Sequence, residues 1–173
     1  MFSDTFFLYL TSLSLMSSAE QYPIDAKNRS NNPPKTHFSH VMCFGTFDIF
    51  HPGHHYYLSE ASSLADRMTV VIARDSRVLS GKWQQPLHDE HVRLEWVSAS
   101  FSDASVILGH ESDIFAPIRE LHPTLLAFGY DQKVPEAKIK ELFPDIEIIR
   151  IGGYEVEKYK SSILKKSLQN NHL

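Results

Sequence analysis

From His40 onward, short apolar or β-branched runs alternate with longer stretches whose apolar residues recur at helical spacing. "HVMCFGTF" is the first such run; it reaches Gly45 and predicts a buried strand. After it, Tyr57, Leu58, Ala61, Leu64 and Ala65 share one helical face, with Ser59, Glu60 and Asp66 among the polar positions. "MTVVIARD", Met68 to Asp75, predicts a second strand, and "LHDEHVRLEWVSA" a helix capped by Asp89. "ASVIL" reads as a strand, Ile114 to Leu121 as a helix ending at "HP", and "TLLAFG" as a strand. "PEAKIKELF" is a helix opened by Pro135, "IEIIRI" the last strand, and "SSILKKSL" a closing helix capped by Ser161 or Ser162. Five strands separated by helices predict βαβ units: an α/β fold with a five-stranded parallel sheet and helices on both faces. Such a sheet binds ligands beyond the carboxyl ends of its strands, at the switch in strand order.

The amino-terminal part lacks this pattern. "AKNRSNNPPK", Ala26 to Lys35, reads as a linker, so residues 1–36 are expected to form a weakly ordered extension. The domain is expected over residues 37–168, with residues 169–173 a tail. The apolar stretch Phe6 to Met16 is shorter than the roughly 20 residues a spanning helix needs. With Asp4 and no basic residue before that stretch, it is a poor secretion signal, and Met16 is an alternative start.

Composition narrows the chemistry. A net charge of -4 provides no global field for nucleic acid or an anionic membrane, so an anionic ligand needs a local site. The single cysteine, Cys43, excludes an internal disulfide framework and a CxxC zinc site, and the expected location is cytoplasmic. Cys43 itself reads as a small buried hydrophobe.

One local site stands out in "FGTFDIFHPGHHYYLSEA", Phe44 to Ala61. At Gly45 the missing side chain permits close approach to the backbone, and Thr46 adds a hydroxyl and an N–H. Pro52 and Gly53 turn the chain into a helix whose N-terminus attracts anions, and His51 and His54 flank that turn as donors to phosphate oxygens. The segment predicts a phosphate cradle built without a glycine-rich loop. His55 is expected to pack or be solvated, Asp48 to bond its local backbone, and Trp83 and Trp96 to pack. No carboxylate or cysteine stands at ligand spacing beside "HPGHH", so no resident metal is expected.

"GTFDIFHPGH" resembles the signature of the cytidylyltransferase-like nucleotidyltransferases, in which HxGH follows the first strand of a Rossmann-like sheet. The resemblance runs from about His40 to Lys166 and includes the Ser pair of "YKSSILKK". It implies in-line attack of an acceptor phosphate on the α-phosphate of a nucleoside triphosphate carried with Mg2+ or another divalent cation. Pyrophosphate leaves without a covalent enzyme intermediate. It further implies that His51 and His54 contact the α- and β-phosphates, and that Thr46 and Phe47 make backbone contacts to the nucleotide. Lys82, in "LSGKWQQP", matches a basic loop residue over the phosphates. Arg93 matches an arginine that orients acceptor or triphosphate, and Ser161 and Ser162 would meet the β- and γ-phosphates.

Within this family, "VVIARDSRV", "LLAFGYDQ" and "IIRIGGYEVEKYKSSI" are most similar to the archaeal-type FAD synthases, which transfer AMP from ATP to FMN. That similarity implies ATP contacts for Asp131 and Tyr154, and a homodimer. The chain lacks the cysteines that such enzymes often carry before the Ser pair. Two alternatives remain at this point: a cytidylyltransferase acting with CTP on glycerol-3-phosphate or a similar polyol phosphate, and a catalytically silent nucleotide-binding regulator.

Overall fold

The computed structural model describes residues 37–82 and 85–159, with the side chains of 80–82 left aside. In chain order the elements are β1 (Phe38–Gly45), α1 (Pro52–Ser62), β2 (Ala65–Ile72), α2 (Asp75–Lys82) and α3 (Glu90–Ser100). They continue with β3 (Ser105–Leu108), α4 (Ala116–Leu121), β4 (Leu125–Gly129), α5 (Glu136–Leu142) and β5 (Glu147–Ile151). All strand pairs are parallel, and the five-stranded sheet has the order β3-β2-β1-β4-β5. The α/β architecture expected from the alternating pattern is therefore present.

The order explains how both faces become covered. The chain moves outward from β1 through β2 to β3, then returns past β1 to β4 and β5. Right-handed crossovers taken in opposite directions place their helices on opposite faces of the sheet. On one face, Met42, Val71, Leu126 and Phe128 pack with Ile118 of α4 and Ile139 of α5. The middles of β1 and β4 are buried, as their apolar runs predicted: Val41, Met42, Cys43, Leu125, Leu126 and Ala127 have no exposed surface. Burial pushes the Cys43 thiol up to about 12, so it stays an unreactive core residue.

The second strand and the segment after it depart from expectation. β2 starts at Ala65, which the helical spacing had assigned to the preceding helix, because Ala65 pairs with Phe38 of β1. It stops at Ile72, and "DSRVLSGK", read as strand end and loop, is helix α2. Its first turn is anchored from outside: the Asp75 N–H donates to Glu90 Oε2 (2.8 Å), and the Glu90 N–H donates to Asp75 Oδ2 (3.3 Å). Arg74 closes the group through Glu90 Oε1 (2.6 Å). A helix nucleated by a partner on another element leaves no periodic trace of its own.

Asp89 caps α3 as expected, accepting from the N–H groups of His91 (2.9 Å) and Val92 (3.1 Å). The helix ending at "HP" stops at His122, whose left-handed backbone (φ 45°) closes α4. Among the described residues, no helix is long and apolar enough to cross a membrane.

Candidate active site

β1 and β4 pair only through Val41–Leu125, Met42–Leu126 and Cys43–Ala127. Yet β1 stays paired with β2 as far as Gly45, and β4 with β5 as far as Gly129. The carboxyl ends of the two central strands therefore part, and a cleft of about 340 Å3 opens at the switch point. Gly45, Thr46, Gly53, His51 and His54 border it from the β1 side. Tyr130, Asp131 and Tyr154 border it from the β4 and β5 side. Residues far apart in sequence, singled out separately, thus meet in one cavity.

The turn into α1 is built around His51. Its backbone is extended at the N-cap, Pro52 takes the first helical position, and its carbonyl accepts from the N–H groups of His54 (2.9 Å) and His55 (3.1 Å). His51 Nδ1 also accepts weakly from the His54 N–H (3.4 Å), which leaves the proton of the neutral ring on Nε2. Burial pulls the His51 pKa down to about 4, so the ring is neutral at pH 7. The His51 and His54 rings stack with centroids 3.8 Å apart and planes 18° from parallel. Two imidazolium ions in that geometry would repel, and the neutral His51 ring offers its Nε2–H as a donor.

Gly53 between them sits where clearance is tight. A Cβ there would lie 3.0 Å from the His51 ring and 3.1 Å from the Tyr159 carbonyl. His54 is further held by Phe47, edge-on at 5.1 Å, and by Phe50 at 5.8 Å. His55 points into different surroundings: it packs on Phe101 (5.0 Å) and bonds the Ser59 hydroxyl (3.2 Å).

Gly45 works differently from expectation. Its missing side chain makes room for the ring of Phe47, which a Cβ would meet at 2.5 Å. Phe47 is buried, sits in the left-handed region (φ 52°), and stacks on Tyr57 at 6.5 Å. A bulky residue at positive φ is unfavourable unless its surroundings hold it there, and here the ring is enclosed on all of these sides. Asp48 is also buried; its Oδ1 accepts from the His88 N–H (3.0 Å) and its carbonyl from His88 Nδ1 (2.8 Å). The His88 ring lies edge-on to Trp96 at 4.3 Å, so Trp96 packs, as expected.

Arg93 is in a different place from the one expected of a substrate-facing residue. It is fully buried and does not line the cleft. Its Nε donates to the His88 carbonyl (3.0 Å), Nη1 to the Thr46 carbonyl, and Nη2 to the Ala73 carbonyl (2.8 Å) and Asp75 Oδ1 (2.6 Å). The guanidinium fork ties the Thr46 loop to the end of β2 and the start of α2.

Opposite, Asp131 is exposed on the turn after β4, where the Gln132 N–H donates to the Gly129 carbonyl (3.2 Å). Arg150 of β5 braces that turn through the carbonyls of Gly129 (3.0 Å) and Gln132 (2.9 Å) and is itself paired with Glu136 (2.6 Å). Nothing in "IEIIRI" marks Arg150 for this role. Tyr154 stacks between Tyr56 (5.4 Å) and Tyr159 (6.0 Å), and burial raises its hydroxyl pKa. Lys82 ends α2, and its side chain lies outside the described residues, as do Ser161 and Ser162. Among the described residues, no group of three or more His, Cys, Asp or Glu could hold a metal ion.

Residues 42–166 match the cytidylyltransferase-like family, from β1 past every element around the cleft. The chain belongs to that family. Among its curated relatives is an FAD synthase of Thermoplasma volcanium, 39% identical over 132 residues, covering 74% of this chain and 92% of that protein. The FAD synthase of Thermoplasma acidophilum is 40% identical over 133 residues with the same two coverages. A crystal structure titled as a lipopolysaccharide core biosynthesis protein from Thermoplasma volcanium superposes with a TM-score of 0.62 at 36% identity. It covers 68% of this chain and 99% of that one. A bifunctional NMN adenylyltransferase/ADP ribose pyrophosphatase from Francisella tularensis shares the fold, with a TM-score of 0.57 at 11% identity. The cytidylyltransferase-like match also takes in Lys82, Ser161 and Ser162.

Proposed function

We propose that this nucleotidyltransferase is an FAD synthase, transferring AMP from ATP to FMN and releasing pyrophosphate. The observation that carries this is the similarity to FAD synthases along 92% of their length, with the family match taking in both walls of the cleft. A phosphate oxygen of FMN attacks the α-phosphorus of ATP in line. The bond from that phosphorus to the bridging oxygen breaks, and the electron pair leaves with pyrophosphate. ATP enters as its Mg2+ complex, the ion being part of the substrate. Catalysis then consists of positioning and of countering charge on the phosphoryl oxygens.

His51 and His54 serve as catalytic residues in this scheme. Both lie at the N-terminus of α1, whose dipole favours an anion. Donors already fixed before substrate arrives lose little to reorganisation in the transition state. Gly45, Thr46, Phe47, Pro52 and Gly53 shape the phosphate side, while Asp131 and Tyr154 meet the nucleoside. Lys82, Ser161 and Ser162 complete the triphosphate contacts, and Arg93 acts through Thr46 as a positioning residue. The enzyme is taken as a cytoplasmic homodimer, which sedimentation of the purified protein checks.

Incubation with FMN and Mg-ATP, followed by chromatography, should give FAD with stoichiometric pyrophosphate. Failure to form FAD, alongside CDP-glycerol from CTP and glycerol-3-phosphate, overturns the substrate assignment. Nucleotide binding without pyrophosphate release under any acceptor overturns the enzymatic one.

A further inference from the structure

The parting of β1 and β4 has a local cause in two side chains. Beyond Cys43–Ala127, the next pair in register would be Phe44 opposite Phe128. In a parallel ladder that pair would be joined by two bonds, Phe44 N–H to the Ala127 carbonyl and Gly129 N–H to the Phe44 carbonyl. The pairing ends at Cys43–Ala127, so the second bond is not made; Tyr57 stands against the first position and Gln132 occupies the second. The Phe44 N–H donates to the Tyr57 hydroxyl (3.4 Å), which donates to the Ala127 carbonyl (2.7 Å). The Gly129 N–H donates to Gln132 Oε1 (2.7 Å), while Gln132 Nε2 donates to the Phe44 carbonyl (2.7 Å). The Phe44 and Phe128 rings still stack at 5.6 Å, so the strands have parted without losing their side-chain contact.

We infer that Tyr57 and Gln132 are positioning residues: a hydroxyl set against the last ladder position and a carboxamide inserted into the next bond, which together hold the crevice open for nucleotide. Each inserted group is both donor and acceptor, the one chemistry that lengthens a backbone hydrogen bond without stranding either end. Tyr57 is buried in α1, the helix that begins with the histidine pair, so the same helix supplies the donors and spaces the strands. Gln132 closes the turn that carries Tyr130 and Asp131. Removing both groups lets the Gly129 N–H reach the Phe44 carbonyl directly. The backbone stays satisfied, and the cleft narrows.

The inference rests on nucleotide use by this cleft, and its test separates the two. Tyr57→Phe, Gln132→Ala and the pair are compared with the wild type by calorimetric melting, by amide exchange at Gly129, and by titration with Mg-ATP without acceptor. Rates with FMN and ATP are measured alongside. For the pair we expect Mg-ATP affinity to fall about tenfold or more, with KM for ATP rising in step. The Gly129 amide should stay protected, because it gains the Phe44 carbonyl directly, and the melting temperature should stay within a few degrees of the wild type. Unchanged Mg-ATP affinity in the pair overturns the inference. So does a large loss of stability with an exposed Gly129 amide, which is the signature of simple structural bonds. If the wild type binds Mg-ATP but forms no FAD, the substrate assignment fails while the affinity comparison still decides this inference. A wild type that binds no Mg-ATP overturns both.

Discussion

Arg93→Lys separates a residue that holds the site from one that touches substrate. The Arg93 side chain has no exposed surface and donates to three backbone carbonyls and the Asp75 carboxylate. Lysine keeps the charge but replaces a planar fork with a single nitrogen, which cannot reach the carbonyls of His88, Thr46 and Ala73 and the Asp75 oxygen together. Each backbone bond lost from a charged donor is worth about 1.5–3 kcal/mol, offset in part where a water enters or the carboxylate keeps its partner. Asp75 is partly exposed, so it re-solvates and adds little to the cost. The net expected loss is about 3 kcal/mol, which lowers the melting temperature of a domain of this size by roughly 10 °C. Thermal melting should be read beside initial rates taken well below the transition. There, kcat should fall through the loosened Thr46 loop, with KM for ATP and FMN within about threefold of the wild type. A melting temperature that hardly moves, together with KM raised about tenfold or more, would refute the buried-clamp reasoning and return Arg93 to the substrate.

His54→Ala should lower kcat by about 10²-fold, the scale of losing one fixed donor, while His55→Ala, whose ring packs on Phe101 and bonds Ser59, should change it little. Equal losses in both would contradict the placement of the two rings. Gly53→Ala should reduce kcat severely with a small change in melting, because the new Cβ meets the His51 ring at 3.0 Å and the Tyr159 carbonyl at 3.1 Å. Wild-type turnover there would show that His51 can move without consequence. Acidification should destabilise the protein between pH 6.5 and 4: the unfolded His51 takes up a proton near pH 6.5 and the folded one only near pH 4. That one group contributes roughly 3 kcal/mol at most, His40 and His55 shift in the same direction, and His51→Asn should flatten the slope in urea titrations across that window. Deleting residues 1–34, which precede the family match at residue 42, should leave turnover near the wild-type rate, and loss of the cooperative melt would move the domain boundary.

Local pattern in the chain dictates the strand and helix alternation, and with it a parallel sheet whose ligand site lies at the carboxyl ends. Period and β-branched content are local properties, so "TLLAFG" and "IEIIRI" declare themselves as strands wherever they pair. The same pattern marks His51, Gly53 and His54, because a helix N-cap, a tightly placed glycine and a donor pair fall within one short segment. Whatever depends on contacts between distant residues emerges only on folding. Helix α2 exists because Glu90 caps it from α3, and Gly45 is glycine because Phe47 folds back over it. Arg93 looks in sequence like any arginine on an amphipathic helix; only the convergence of carbonyls from three segments makes it a clamp. Tyr57 falls on the apolar face of α1 and reads as core, and Gln132 reads as a turn residue. Their hydrogen bonds to strands β1 and β4 come into being only when the sheet is assembled, since the groups they bridge lie up to 88 positions away along the chain. Local pattern fixes where a cleft must open, and long-range hydrogen bonding fixes how wide it stands.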